Sequence, residues 1–222
     1  MNTLSNVKTR RGETNPPSTG FTPDAFPEAK SSKTGVSVRY VPAPDKRWYV
    51  FRVSYGREDK ASDFMVEEGT YTYIAKKIAE KYVGGKRTRY LQTLIPNLLF
   101  AYTTPEKAKE YADNKAELSY LSFYYNHFRL TDEKKNPPLT ISDEEMARFI
   151  QATCNMNKHL LFVQPSQCHF KCGEQVRVIE GPFAGVEGRV ARVTGQQRVV
   201  ISLSTIGLIS TAYIPTAFIQ KI

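Results

Sequence analysis

The sequence predicts an α+β chain in two parts, an antiparallel sheet covered by helices followed by a small barrel of strands alone. Three observations carry that expectation. Runs such as "RWYVFRVSYG" at 47–56 alternate aromatic or aliphatic with polar residues, as half-buried strands do. Between these runs lie segments with the caps and spacing of helices. From residue 173 onward the chain becomes short strands punctuated by Gly and Pro. With 222 residues, 41% of them hydrophobic, there is material for one large core or two small ones.

Taken in order, residues 1–45 read as a flexible tail, rich in Ser, Thr, Pro, Asn and Gly and without an apolar period. The strand at 47–56 ends at Gly56. "REDKASDFMVEEG" (57–69) follows as a short helix, with Ala61, Phe64 and Met65 on one side and Gly69 as its stop. "TYTYIAKKIAEKYV" (70–83) is ambiguous by pattern: Ile74 and Ile78 suit a helix, whereas Tyr71, Tyr73 and Val83 suit a strand. Gly84-Gly85 then reads as a hairpin turn feeding a further strand. Pro105 opens a helix over 105–114. "ELSYLSFYYNHFRL" (117–130) is strand-like, and consecutive rings at 123–128 cannot all be buried on one side of a sheet. Ser142 caps a helix over 142–154, with Glu145 at the third helical position and Met146, Phe149 and Ile150 turned inward. Residues 46–154 thus form the first domain, 155–172 a linker and 173–222 the barrel, for which five strands suffice.

Within that barrel, "EGPFAGVEGRV" (180–190) has the chemistry of a tight reversal. Pro182 fixes φ directly after Gly181, and Gly185 and Gly188 are free to take positive φ. Phe183 at the tip either covers the end of the barrel or stands out as a contact.

This stretch resembles the KOW motif of the NusG family of transcription elongation factors, whose C-terminal domain is an SH3-like barrel. "RWYVFRVSYGRE" (47–58) is similar to the opening strand of the NusG N-terminal domain, where a Trp-Tyr pair begins the fold. "LIPNLLFAYTT" (94–104) resembles a later strand of that domain, with Ile95, Pro96 and Asn97 where aromatic-Pro-Gly is usual. That departure, together with "PPLTISDEEMARFI" (137–150), is similar to the specialised antiterminators of Bacteroides capsular polysaccharide loci. The resemblance covers about 46–222 and tips residues 70–83 towards a strand of the hairpin.

The resemblance implies a factor that docks an apolar depression onto the clamp helices of the largest RNA polymerase subunit, suppressing pausing or termination at specific operons. Family position and the excess of aromatic residues make Tyr55, Pro96, Phe123 and Tyr124 the expected polymerase surface. A ribosomal protein or Rho is the partner the family would offer the barrel, although Ile206 stands where an aromatic is usual. One branch of the family refolds this domain into a helical hairpin that masks the polymerase site. Here Gly181, Gly185, Gly188, Gly195, Pro182 and Pro215, with five β-branched residues between 190 and 201, disfavour helix. The expectation is therefore a β-barrel loosely tethered through 155–172, leaving the polymerase surface open. The rival reading is an RNA-binding or ribosome-associated KOW protein.

Charge and chemistry narrow the classes further. Thirty-one basic against 22 acidic residues give a net charge of +9, which favours an acidic partner. The charge concentrates between Lys76 and Arg89, and Lys86, Arg87 and Arg89 beside the Gly84-Gly85 turn are the expected nucleic-acid contacts. The bland alternative for this run is a solvated face. Cys168, His169 and Cys172 lack the second spaced pair that a zinc site needs, so packing or surface placement is expected. "GGKRTR" is no phosphate-binding loop, and no nucleophile–base constellation has motif support, so an enzyme is not expected. No cofactor, no metal and no membrane span are expected, and the chain is expected to be a monomer; three cysteines, an odd count without disulfide spacing, favour a reducing compartment, taken as the cytoplasm.

Overall fold

The computed structural model describes residues 26–126, 136–163, 166, 168–203 and 206–222, and within 169–174 the backbone alone. The core of the first domain is strand β3 (Arg47–Val53), buried on both faces. Trp48 and Val50 turn to one side, while Tyr49, Phe51 and Val53 turn to the other. That accounts for the near-continuous apolar run, since only a central strand with both faces covered tolerates it. Strands β4 (Tyr71–Tyr73), β7 (Leu98–Thr103), β3 and β8 (Leu121–Phe123) make an antiparallel sheet in that order, and β9 (Thr140–Ile141) pairs the other end of β3.

Helices α1 (Glu58–Glu67) and α2 (Pro105–Asp113) cover the Phe51 face through Ala61, Met65, Ala108 and Tyr111. Helix α3 (Asp143–Thr153) covers the Trp48 face, with Phe149 5.3 Å from Phe100 and 5.9 Å from Tyr73 between ring centroids. The cap expected at Ser142 is formed, its Oγ accepting the Glu145 N–H at 3.3 Å. Residues 76–93 form a separate antiparallel ribbon, β5 (Lys76–Val83) and β6 (Lys86–Thr93), so the resemblance resolved the helix-or-strand ambiguity in the right direction. The run expected as a strand over 117–130 is strand only at β8, preceded by a 3-10 turn at Ala116–Leu118, while 127–130 lie outside the described residues.

Two boundaries are corrected. The expected tail 1–45 ends early, because residues 26–45 are part of the first domain. Strands β1 (Ala29–Lys30) and β2 (Ser37–Val38) pair, and Tyr40 stacks at 4.0 Å on Phe26 and 5.7 Å from Trp48. Ser32 donates from its backbone N–H and its hydroxyl to the two carboxylate oxygens of Asp63 on α1, at 2.7 and 2.5 Å. Residues 1–25 lie outside the described residues.

The expected linker 155–172 likewise contributes a strand, β10 (Leu161–Val163), which pairs with β14 (Gly207–Tyr213). With β11 (His169–Val178), β12 (Glu187–Val193), β13 (Gln196–Leu203) and β15 (Ile219–Lys221), it makes a six-stranded sheet in the order β10-β14-β13-β12-β11-β15, the five strands expected of the C-terminal segment plus β10 from the expected linker. A 3-10 turn at Thr216–Phe218 precedes β15.

Candidate functional site

The chain reverses between β11 and β12 as its composition predicts. Gly181 and Gly185 both sit at φ +85°. Gly188 differs from expectation, since its φ is not positive and its role is close approach. A Cβ there would meet the Val200 carbonyl oxygen at 2.5 Å and Val199 Cγ1 at 2.9 Å. Phe183 is buried and joins the main core, which decides between the two roles left open for it.

This turn also meets the first domain. Asn155 Nδ2 donates to the Pro182 carbonyl at 2.8 Å, and a Cβ on Gly185 would strike Gln151 of α3 at 2.6 Å. Helix α3 lies against β13, and the apolar cores of the sheet's Trp48 face and of the barrel are continuous. The loosely tethered barrel expected from sequence is therefore corrected to a docked one.

Where the two domains meet at the end of β3, they line an open hollow of about 570 Å³. The first domain contributes Arg52, Tyr55, Pro96, Asn97 and Tyr124, and the second contributes Phe162 and Ile206. Three of the four expected polymerase-contact residues thus come together from three segments of sequence. The fourth, Phe123, does not. It faces the opposite side of the sheet, stacked on Phe51 at 5.3 Å within the α1/α2 layer. Neighbouring residues on a strand face opposite sides, so Tyr124 and Phe123 cannot share one surface.

The rim of the hollow is held under backbone strain. Tyr55 (φ 64°) and Asn97 (φ 62°) both occupy the left-handed region that side chains other than glycine seldom adopt. The Asn97 N–H donates to the buried Glu58 carboxylate at 2.8 Å, and its carbonyl accepts the Val53 N–H at 2.9 Å. These bonds fix the turn and leave Tyr55 86% exposed. Cations lie over the rings around it: Arg57 is 5.4 Å from the Tyr55 centroid and 5.0 Å from that of Tyr120, and Arg52 is 5.8 Å from that of Tyr124. The surface offers apolar area with positive charge at its edge. Arg52 and Phe162 carried no sequence signal, the first because it reads as an ordinary polar strand position and the second because it lies in the presumed linker.

The ribbon β5–β6 projects beside this region. The positive φ values of Gly84 (56°) and Gly85 (77°) make the two-residue turn expected of Gly-Gly. The three predicted nucleic-acid residues, Lys86, Arg87 and Arg89, all lie on its outer half, but they are not equivalent. Arg87 and Arg89 are both paired with Glu80, Arg89 Nε at 3.5 Å, and this holds the Glu80 carboxyl below the usual range.

Of the thiols, Cys168 is buried and Cys154 exposed, while the side chains of His169 and Cys172 lie outside the described residues. Among the described residues no group of three His, Cys, Asp or Glu side chains is placed to hold a metal. No helix among them is long and apolar enough to cross a membrane.

Comparison with protein families identifies two regions. Residues 46–150 match the family described as transcription termination factor nusG, and residues 172–202 match the KOW motif. The chain is a NusG-like protein. A search of curated proteins finds no match to it. The NusG match begins at the start of β3 and ends within α3, so the NusG-like sheet carries Tyr55, Pro96 and Tyr124. The KOW match contains the 181–188 reversal. Both domains together support a role in transcription elongation or antitermination. The N-terminal hairpin and β10 fall outside both matched regions.

Proposed function

We propose that this NusG-like protein is an antitermination factor that binds RNA polymerase through the hollow at Tyr55, Pro96 and Tyr124. The observation that carries this reading is Tyr55, held outward by a turn with positive φ at the rim of the hollow between the two domains. A largely exposed ring in a costly backbone conformation, touched only at its face by Arg57, gains little stability in the free protein, and a partner would supply more. Positive charge from Arg52 and Arg57 around the rings suits a partner helix carrying carboxylates beside apolar residues, which is what polymerase clamp helices would have to present. No bond is made or broken. The factor acts by favouring one conformation of the polymerase over another.

Operon-specific action, as at polysaccharide loci, is the finer reading, supported by Ile95-Pro96-Asn97 in place of the usual aromatic-Pro-Gly. The barrel's own partner, a ribosomal protein or Rho, would have to engage β14 and the loop before it, where Ile206 is now buried.

The test is affinity for core polymerase. A folded Tyr55→Ala, Tyr124→Ala double variant should bind at least tenfold more weakly than the parent. Equal binding would remove the assignment. Capture of ribosomal proteins without polymerase would favour a KOW protein of the ribosome instead.

A further inference from the structure

The ribbon β5–β6 carries six cations against one carboxylate, and the register of its strands sorts them onto two unlike faces. Residues paired directly across antiparallel strands share a face. Lys76, Ile78, Glu80 and Tyr82 therefore lie with Arg87, Arg89, Leu91 and Thr93. On this face each cation has a carboxylate partner, although two share one: Glu80 takes both Arg87 and Arg89, and Asp59 takes Lys76 at 2.5 Å. Tyr82 and Leu91 stand exposed between them.

The other face holds Lys77, Lys81 and Lys86 with Thr88, Tyr90 and Gln92, and no acid. Among the described residues, neither Lys81 nor Lys86 meets a carboxylate, and Lys77 reaches only the Leu160 carbonyl at 3.4 Å. At the base of the ribbon Lys158 and His159 line a hollow of about 270 Å³ together with Lys77, Ile78 and Glu80, so the acid-free stretch of this face is its outer part, at Lys81 and Lys86.

We propose that the lysine face, through Lys81 and Lys86, binds the phosphate backbone of duplex DNA, and that Arg87 and Arg89 do not. The proposal rests on the reading that this ribbon contacts nucleic acid, and it names the face and the ligand. A cation already paired with a carboxylate gains less from a phosphate, because the carboxylate must first be displaced, whereas an unpaired one releases counterions when it meets one. Lys77 and Lys81 are four residues apart, about 13 Å along a strand, so the row follows a backbone rather than a single phosphate. A two-stranded ribbon also has the width that the major groove admits. Single strands are held by stacking on several aromatic faces, and this face has one ring, Tyr90, which Lys81 already covers at 5.3 Å from the centroid.

The experiment is binding of the full-length protein, without polymerase, to a fluorescent 25-base-pair duplex of arbitrary sequence over a series of salt concentrations. Two charge-matched double variants are compared, Lys81→Gln/Lys86→Gln and Arg87→Gln/Arg89→Gln. The lysine pair should shallow the logarithmic salt slope by about 1.8, two contacts at about 0.9 each, while the arginine pair changes it by less than half as much. Lys81→Arg/Lys86→Arg should restore the parent slope, and all variants should melt like the parent because these side chains are exposed. Equal losses from both pairs would show a general charge effect and overturn the face assignment. So would a greater loss from the arginines, absence of duplex binding by the parent at low salt, or tighter binding to a single strand of equal length. Because no polymerase is present, these outcomes are independent of whether the Tyr55 surface binds it.

Discussion

At the scale of single residues, close approach and burial set the sharpest expectations. Gly188→Ala places a methyl group 2.5 Å from the Val200 carbonyl, against backbone that cannot rotate away. It should cost about 2 kcal/mol or more in urea unfolding, as overpacking of a tight core does. Gly195→Ala meets no atom within 4 Å and has only its φ of +78° to oppose it, so a loss near 1 kcal/mol is expected there. Equal losses at both positions would show that Gly188 is not sterically required.

Tyrosine ionisation gives a second expectation at this scale. Burial pushes the hydroxyls of Tyr71, Tyr73 and Tyr111 far above the ordinary tyrosine range, and burial followed by the nearby Asp143 does so for Tyr40. In the unfolded chain these groups release protons near pH 10, so above that pH the unfolded state binds fewer protons than the folded one. Their contribution is therefore complete below about pH 10 and falls as pH rises beyond it. Melting temperatures measured from pH 8 to pH 11.5 should stay level and then drop, and Tyr73→Phe should soften the drop. Tyr73 is a fair choice because its hydroxyl is bonded to Thr153 at 2.7 Å, which ties β4 to α3. A curve level through pH 11.5 would contradict the argument.

At the scale of elements, the N-terminal hairpin is the least anticipated piece. Its sequence has few apolar residues, yet Tyr40 is 6% exposed because Phe26, Trp48, Tyr71 and Tyr102 surround it. Burial of such a ring contributes roughly 2 kcal/mol, and each kcal/mol moves the midpoint of a chain of this size by roughly 2–4 °C. Removing residues 1–45 should therefore lower Tm by about 5 °C or more, and Tyr40→Ala alone should account for most of the fall. A truncated protein melting with the parent would mean that this hairpin adds nothing to stability.

At the scale of the whole molecule, the docked barrel governs access to the Tyr55 hollow. Phe162 and Ile206 line it from the barrel side, and a Cβ on Gly207 would strike the Phe162 ring at 2.6 Å. A polymerase that uses the hollow competes with this contact, so the intact chain binds with its intrinsic affinity reduced by the undocked fraction. Ile206→Asp places a charge in the contact and should release the barrel. Amide relaxation should then report separate tumbling of the two domains, and polymerase affinity should rise by threefold or more. If the domains separate with no gain in affinity, the hollow is not where polymerase binds.

Some of this architecture was determined by the sequence itself. The period-2 pattern of 47–53, the Ser142 cap, the Gly84-Gly85 turn and the Gly181–Gly185 reversal are local, because each depends on residues within a few positions of one another. The barrel's strands belong with these, since branched residues and interior glycines oppose helix wherever the segment lies. Other features were decided by tertiary structure. Strand β10 is three residues long and exists because β14 offers it an unpaired edge. Alternation tells that Phe123 and Tyr124 face opposite ways, but only the placement of α1 and α2 on one face and α3 on the other decides which ring reaches the hollow. The pairing of Glu80 with Arg87 and Arg89 likewise depends on the register across the ribbon, which one residue of slip would reverse. Short-range pattern fixes which groups alternate and where the chain turns, and long-range contact fixes what each group meets.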